Sequence, residues 1–282
     1  MIYLFIAIIT STLIIVTFRI LKHFNIEIVQ AISVNYLVAS SFGFLIAPEN
    51  FSIDTIVSSN WFPYAILVGL TLIIAFNFFA LSAQKAGVTV TAISSRMSVV
   101  IPVILGFILF GDKCNLIKIT GIVLALIAFY LTFKKKENIK FQKKLFVLPL
   151  LLFLAVGTND SLMKFTEHFY IEGDFVLFLS TAFFFALIFG LLVLGFKIKK
   201  QKFAVKNIIA GFILGLLNWW STLYFLKGLD VFEVSVFIPI YNVSVVALSA
   251  IIGFFLFKEK LRFINWLGIL MAIGAITMIS LS

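Results

Sequence analysis

Charge is what this sequence has least of. Asp, Glu, Lys and Arg together make up 12% of its 282 residues, beside two histidines and a single cysteine. Each shortage removes a class of function. Cys114 alone forms no intramolecular disulfide and no cysteine-held metal cluster. His23 and His168 are isolated side chains in matching loop positions, so neither a metal nor a cofactor is expected. No apolar run pairs a Ser or Cys with a nearby histidine, gathers carboxylates, or carries a Gly-rich phosphate loop. That argues against an enzyme and against a nucleotide-driven motor. With 62% hydrophobic residues and a mean hydropathy of +1.18, the chain is too apolar for a soluble domain.

What the chain has instead is long apolar runs. A bilayer span needs about 20 mostly apolar residues. Runs bounded by charge, Pro, Gly and Asn lie near 2–18, 28–47, 63–83, 88–110, 115–133, 145–166, 174–196, 207–226, 231–257 and 262–281. The sequence therefore predicts an all-α integral membrane protein with ten transmembrane helices. The first run, Met1 to Phe18, lacks a basic leader and a small-residue cleavage site, and it reads as a retained span rather than a signal peptide. The Lys-rich stretch 134–144 reads as a linker between two five-helix parts, 1–133 and 145–282.

These parts are copies of one another. Gly106-Phe107-Ile108-Leu109-Phe110-Gly111-Asp112-Lys113 returns, without a gap, as Gly253-Phe254-Phe255-Leu256-Phe257-Lys258-Glu259-Lys260. Ile117, Gly121, Ile122, Ala125 and Ala128 return as Ile264, Gly268, Ile269, Ala272 and Ala275. His23-Phe24-Asn25-Ile26-Glu27 likewise matches His168-Phe169-Tyr170-Ile171-Glu172. Because each copy holds an odd number of spans, the second enters the bilayer upside down relative to the first. The expected architecture is thus an inverted repeat, with a site near the midplane where the copies face each other. A net charge of +10 would suggest nucleic acid in a soluble protein, but here the lysines cluster between apolar runs and report topology, so no nucleic-acid partner is expected. Alternate connections carry seventeen Lys and Arg on one side and four on the other. This bias places the linker in the cytoplasm and both termini outside.

An ionisable group in mid-span costs about 2.5–3.5 kcal/mol on insertion scales, so it needs a partner or a task. Two stand out: Arg96 in the fourth run and Asp160 in the sixth. They either pair with each other, snorkel each to an interface, or serve a substrate, Arg96 holding an anionic group and Asp160 holding a cationic group or carrying a coupling proton. Uncharged polar and aromatic residues share these runs. Asn77, Trp219, Trp220, Tyr224, Tyr241 and Asn242 are the candidate substrate contacts, with Asn35, Tyr36, Gln84, Ser94, Ser95, Ser98 and Asn218 as further polar lining. Pro102 and Pro239 are expected to kink the fourth and ninth runs, and Gly106, Gly121, Gly253 and Gly268 read as helix contact points.

Over its full length the chain resembles the EamA branch of the drug/metabolite transporter superfamily. The likeness rests on two five-span halves, each closing with a Pro-bearing helix, a Phe-x-Gly-Glu-like turn and a Gly-containing last helix. The turns here read Phe110-Gly111-Asp112 and Phe257-Lys258-Glu259, with Asp112 in place of the usual Glu and Lys258 in place of the usual Gly. The resemblance implies a secondary transporter in a bacterial inner membrane that exports small metabolites such as amino acids, by facilitated diffusion or proton exchange. It also implies cytoplasmic termini, against the charge bias of this chain, and the charges are followed here. The partners expected are a small-molecule substrate and the lipid bilayer, with a monomer sufficient and a homo-oligomer equally compatible. The alternatives are a membrane-embedded lipid-modifying enzyme and a lipid flippase subunit.

Overall fold

A computed structural model describes residues 2–47, 52–109, 116–133, 143–171, 175–197, 204–231, 234–259 and 261–280. The turn at Phe110-Gly111-Asp112, Cys114 and nearly all of the 134–144 linker lie outside these residues, as does the side chain of His168. The described chain is all helix: α1 Ile2–Leu21, α2 Ile28–Leu45, α3 Ile53–Ser58, α4 Phe62–Lys85, α5 Val88–Met97, α6 Val100–Leu109, α7 Leu116–Phe133, α8 Lys143–Tyr170, α9 Phe175–Lys197, α10 Val205–Val231, α11 Val234–Phe255 and α12 Phe263–Ser280. Helices are what lipid permits, since an apolar segment there must satisfy its own backbone.

Among the described residues, each of the ten expected runs is largely helical. Five described stretches are long and apolar enough to cross a bilayer: Ile2–Leu21, Ile28–Leu45, Phe62–Lys85, Phe175–Gly195 and Val205–Phe225. The apolar stretches Val88–Pro102, Val147–Met163, Tyr241–Phe255 and Phe263–Met278 are shorter. Polar residues mark the ends. Glu27 caps α2 by accepting from Gln30 N at 2.9 Å, and Arg262 N donates to Asn265 Oδ1 at 2.9 Å where α12 begins. The small helix α3 was not expected, and a capping box between Ser52 and Thr55 secures it.

The fourth run is not one helix but two. Pro102 has no N–H to give the Ser98 carbonyl, and its ring crowds that carbonyl, so the α-helical ladder stops at Ser98–Val99 and restarts as α6 with Pro102 in its first turn. Ser98 turns its hydroxyl back to Ser95 O at 2.6 Å, and Ile101 N meets Ser98 O at 2.9 Å. In the ninth run, α11 continues unbroken through Pro239.

The chain forms two compact units, and each draws on both halves of the sequence. The first comprises 1–20, 78–157 and 220–282. Its core joins Ile93 and Met97 of α5, Ala125 and Ala128 of α7, Val246 and Ala250 of α11, and Ile269, Ala272 and Ala275 of α12. Here α7 packs on α12 and α5 on α11, so helices that match in the duplication are neighbours. Asn265 of α12 donates to Leu131 O of α7 at 3.2 Å while Gly274 lies beside Leu124, which makes the pair antiparallel. The repeated residues Ile122, Ala125 and Ala128 meet their own copies Ile269, Ala272 and Ala275 in this core.

The second unit comprises 21–77 and 158–219. In it α2 packs on α9, again a matched pair and again antiparallel: Gly43 abuts Ser180 while Gly190 abuts Ser33. Any side chain at Gly43 would collide with Ser180, which explains a glycine where two backbones approach. Trp61, Ala65, Val68, Phe178 and Ala182 fill its core, and Tyr36 is fully buried against Phe76 and Phe183, its hydroxyl donating to Leu72 O at 3.0 Å.

Candidate functional site

Arg96 ends up in the last turn of α5, two residues before the break. The position suits a cation, because the carbonyl end of a helix carries partial negative charge. Its guanidinium is held by α11. Nη2 donates to the Tyr241 hydroxyl at 3.1 Å, Nη1 donates to Asn242 Oδ1 at 3.4 Å, and Cζ stands 4.6 Å from the centre of the Tyr241 ring. Both acceptors are neutral, and the buried Nε–H has no acceptor among the described residues. The antiparallel packing of α5 on α11 sets this meeting, with Gly253 abutting Thr89 at the far end of the same contact.

Tyr241 is 5% exposed and continues the network. Its oxygen accepts from Arg96 and is hydrogen-bonded to Ser11 Oγ, 2.5 Å away on α1. Ser11 in turn shares a proton with Ser221 Oγ of α10 at 2.7 Å. A continuous chain thus runs Arg96–Tyr241–Ser11–Ser221 through three helices besides α5, and such chains polarise one another. The Tyr241 ring also rests on Phe225, with centroids 4.9 Å apart. On the adjoining face of α10, Tyr224 stacks between Tyr3 at 5.9 Å and Trp220 at 5.5 Å, with Lys227 Nζ 5.9 Å from its centre. Trp220 leaves 43% of its surface exposed.

Of the residues expected to serve a substrate, the first unit brings together Arg96, Tyr241 and Asn242, and it also holds Trp220 and Tyr224. The others fall in the second unit. Trp219 is buried at 5% beside Gly43, Asp160 is exposed on α8, and Asn77 returns its amide to Ile73 O of its own helix at 2.7 Å. Ser94, Ser95 and Ser98 likewise bond back within α5, as serines in apolar helices commonly do. Ser11 and Ser221 are the members that sequence reasoning missed. Each is a lone serine in an apolar run, and nothing in its spacing sets it apart from other serines.

No family model matches the chain. The chain is similar to an uncharacterised protein of Haemophilus influenzae (strain ATCC 51907 / DSM 11121 / KW20 / Rd), with 27% identity over 280 residues that cover 96% of this chain and 94% of that one.

Proposed function

We propose that the protein is a secondary transporter, working as an exporter of small amphipathic metabolites such as amino acids across a bacterial inner membrane. Its ten spans act as two inverted five-span repeats that expose one site alternately to either side. The observation that carries this reading is Arg96. A cation within an apolar run, at the end of a helix interrupted beside it, is held among the described residues by a phenol and an amide, and so offers its charge to an anionic group. Interrupted helices that expose backbone and charge at mid-membrane are how such carriers build substrate sites.

Three further features support the reading. The three matched helix pairs seen to pack together, α2 with α9, α5 with α11 and α7 with α12, run antiparallel, as expected of copies related by an axis in the membrane plane. The Trp220–Tyr224–Tyr3 stack offers apolar faces to the rest of an amphipathic substrate. The resemblance to the EamA transporters points the same way. Asp160, exposed on α8, is retained as the candidate for proton coupling.

The test is flux in proteoliposomes loaded with radiolabelled tryptophan, leucine or glutamate. At least one is expected to cross, with the Arg96→Ala variant slower by about tenfold or more, the loss of one charge-assisted contact. Equal flux in Arg96→Ala and wild type would end the Arg96 reading. Translocation of a headgroup-labelled lipid in place of all three solutes would favour a flippase.

A further inference from the structure

The helix that carries Arg96 is held at its other end by residues that the site does not use. Glu259, in the turn after α11, places Oε1 2.6 Å from Val88 N and Oε2 3.3 Å from Thr89 N, so its carboxylate accepts the first free amides of α5. Negative charge belongs at that end of a helix, where unpaired N–H groups concentrate positive potential. Just before it, Arg19 at the end of α1 donates to Ala83 O and Gln84 O, the last carbonyls of α4, at 3.2 and 2.5 Å. The Arg19 guanidinium also stands 5.9 Å from the centre of the Phe257 ring, two residues from Glu259. The corner between α4 and α5 is therefore gripped from both sides. An arginine holds the outgoing helix, a glutamate holds the incoming one, and the arginine rests on the turn that bears the glutamate.

Between the two grips lies Gly87, whose backbone has φ 108°. A side chain there would strike Glu259 Oε1, so the glycine lets the carboxylate seat. Thr89 and Gly253 close against the same carboxylate, and Thr89 is fully buried. All these segments belong to one compact unit. In the ten-span reading, the end of α1, the α4–α5 corner and the turn after α11 are also connections on a single side, the lysine-rich one.

We propose that Glu259 and Arg19 form a releasable clamp on the α4–α5 corner that closes the lysine-rich entrance to the Arg96 site. The inference rests on the transport reading for its purpose, but its test needs no substrate. Closed, the clamp fixes α5 from its first amides, so Arg96, two turns along, cannot swing away from Tyr241. Released, the corner and the first turn of α5 move together, because the broken ladder at Ser98 uncouples α5 from α6 and leaves it a lever hinged at one end. Glu259 is thus a positioning residue that acts on Arg96 through the helix between them.

The experiment uses full-length protein in proteoliposomes with Cys114 replaced by Ser and one reporter, Ser95→Cys, beside Arg96. A membrane-impermeant maleimide is applied from either face, and the labelling rate is followed by mass shift. With Glu259 intact the reporter is expected to react slowly from the lysine-rich face. Glu259→Ala should raise that rate by about tenfold or more while leaving the rate from the opposite face unchanged, because the closed population is lost on one side only. Glu259→Gln, which keeps one acceptor, should fall between. Arg19→Gln should act in the same direction as Glu259→Ala, which guards against a loss of folding peculiar to one variant. No change in any variant, or an equal rise from both faces, would overturn the clamp. Failure of the flux experiment with sided labelling intact would remove the transport reading and leave the clamp.

Discussion

At Tyr241 one phenol does three things: it accepts from Arg96, shares a hydrogen bond with Ser11 and lays its ring under the guanidinium. Tyr241→Phe keeps the ring and removes both hydrogen bonds, so Arg96 retains only Asn242 and Ser11 only Ser221. Melting of the detergent-solubilised protein is expected to register a loss of about 1–3 kcal/mol, and flux to fall with it. Lys258 offers the opposite case. Its φ of 51° lies in the left-handed region, where a side chain costs roughly 1–2 kcal/mol and glycine nothing. The glycine usual at this point in the resembled turn is therefore explained by backbone geometry, and Lys258→Gly should stabilise the protein by about 1 kcal/mol in the same melt. Trp219 and Trp220 show where residue-level reading stops. They look like a pair in sequence, but neighbours on a helix point about 100° apart. One is therefore buried beside Gly43 and the other half open.

Helices were legible as helices because apolar length and bounding charge leave lipid-borne chain little choice. Their interruptions were legible only in part. Pro102 and Pro239 looked alike in sequence, yet α6 begins just before Pro102 whereas α11 runs through Pro239. At Pro102 the serines supply the difference, since Ser98 offers its hydroxyl to Ser95 O and helps end α5. Pro102→Ala is expected to rejoin α5 and α6 into one ladder, raising the melting temperature while slowing flux by about tenfold if the break is needed for α5 to move. A faster variant would show that the interruption only burdens the fold. Helix α3 escaped because six residues with polar ends carry no usable apolar period. Of the site, Arg96, Tyr241 and Asn242 could be named from chemistry alone. That they meet follows from the antiparallel crossing of α5 and α11, which hydropathy does not encode.

For the whole molecule, the duplication predicts sidedness that labelling can check. Cysteines placed one at a time at the exposed positions 22, 85 and 258, in a chain with Cys114 replaced by Ser, should all react from the cytoplasmic face of inverted vesicles, and one at 227 only from the other face. Any of the first three reacting with the fourth would break the ten-span topology.

The mingling of both halves in each compact unit bears on how the chain is assembled. Neither 1–133 nor 145–282 owns a complete core: α7 lacks its seat without α12, and α2 lacks its seat without α9. Severing the peptide within 134–142 should leave two fragments that still bind one another, and co-expressed tagged halves should be recovered together while either half alone is degraded. The join between the copies would then serve to deliver equal amounts of two mutually dependent polypeptides rather than to hold them in place.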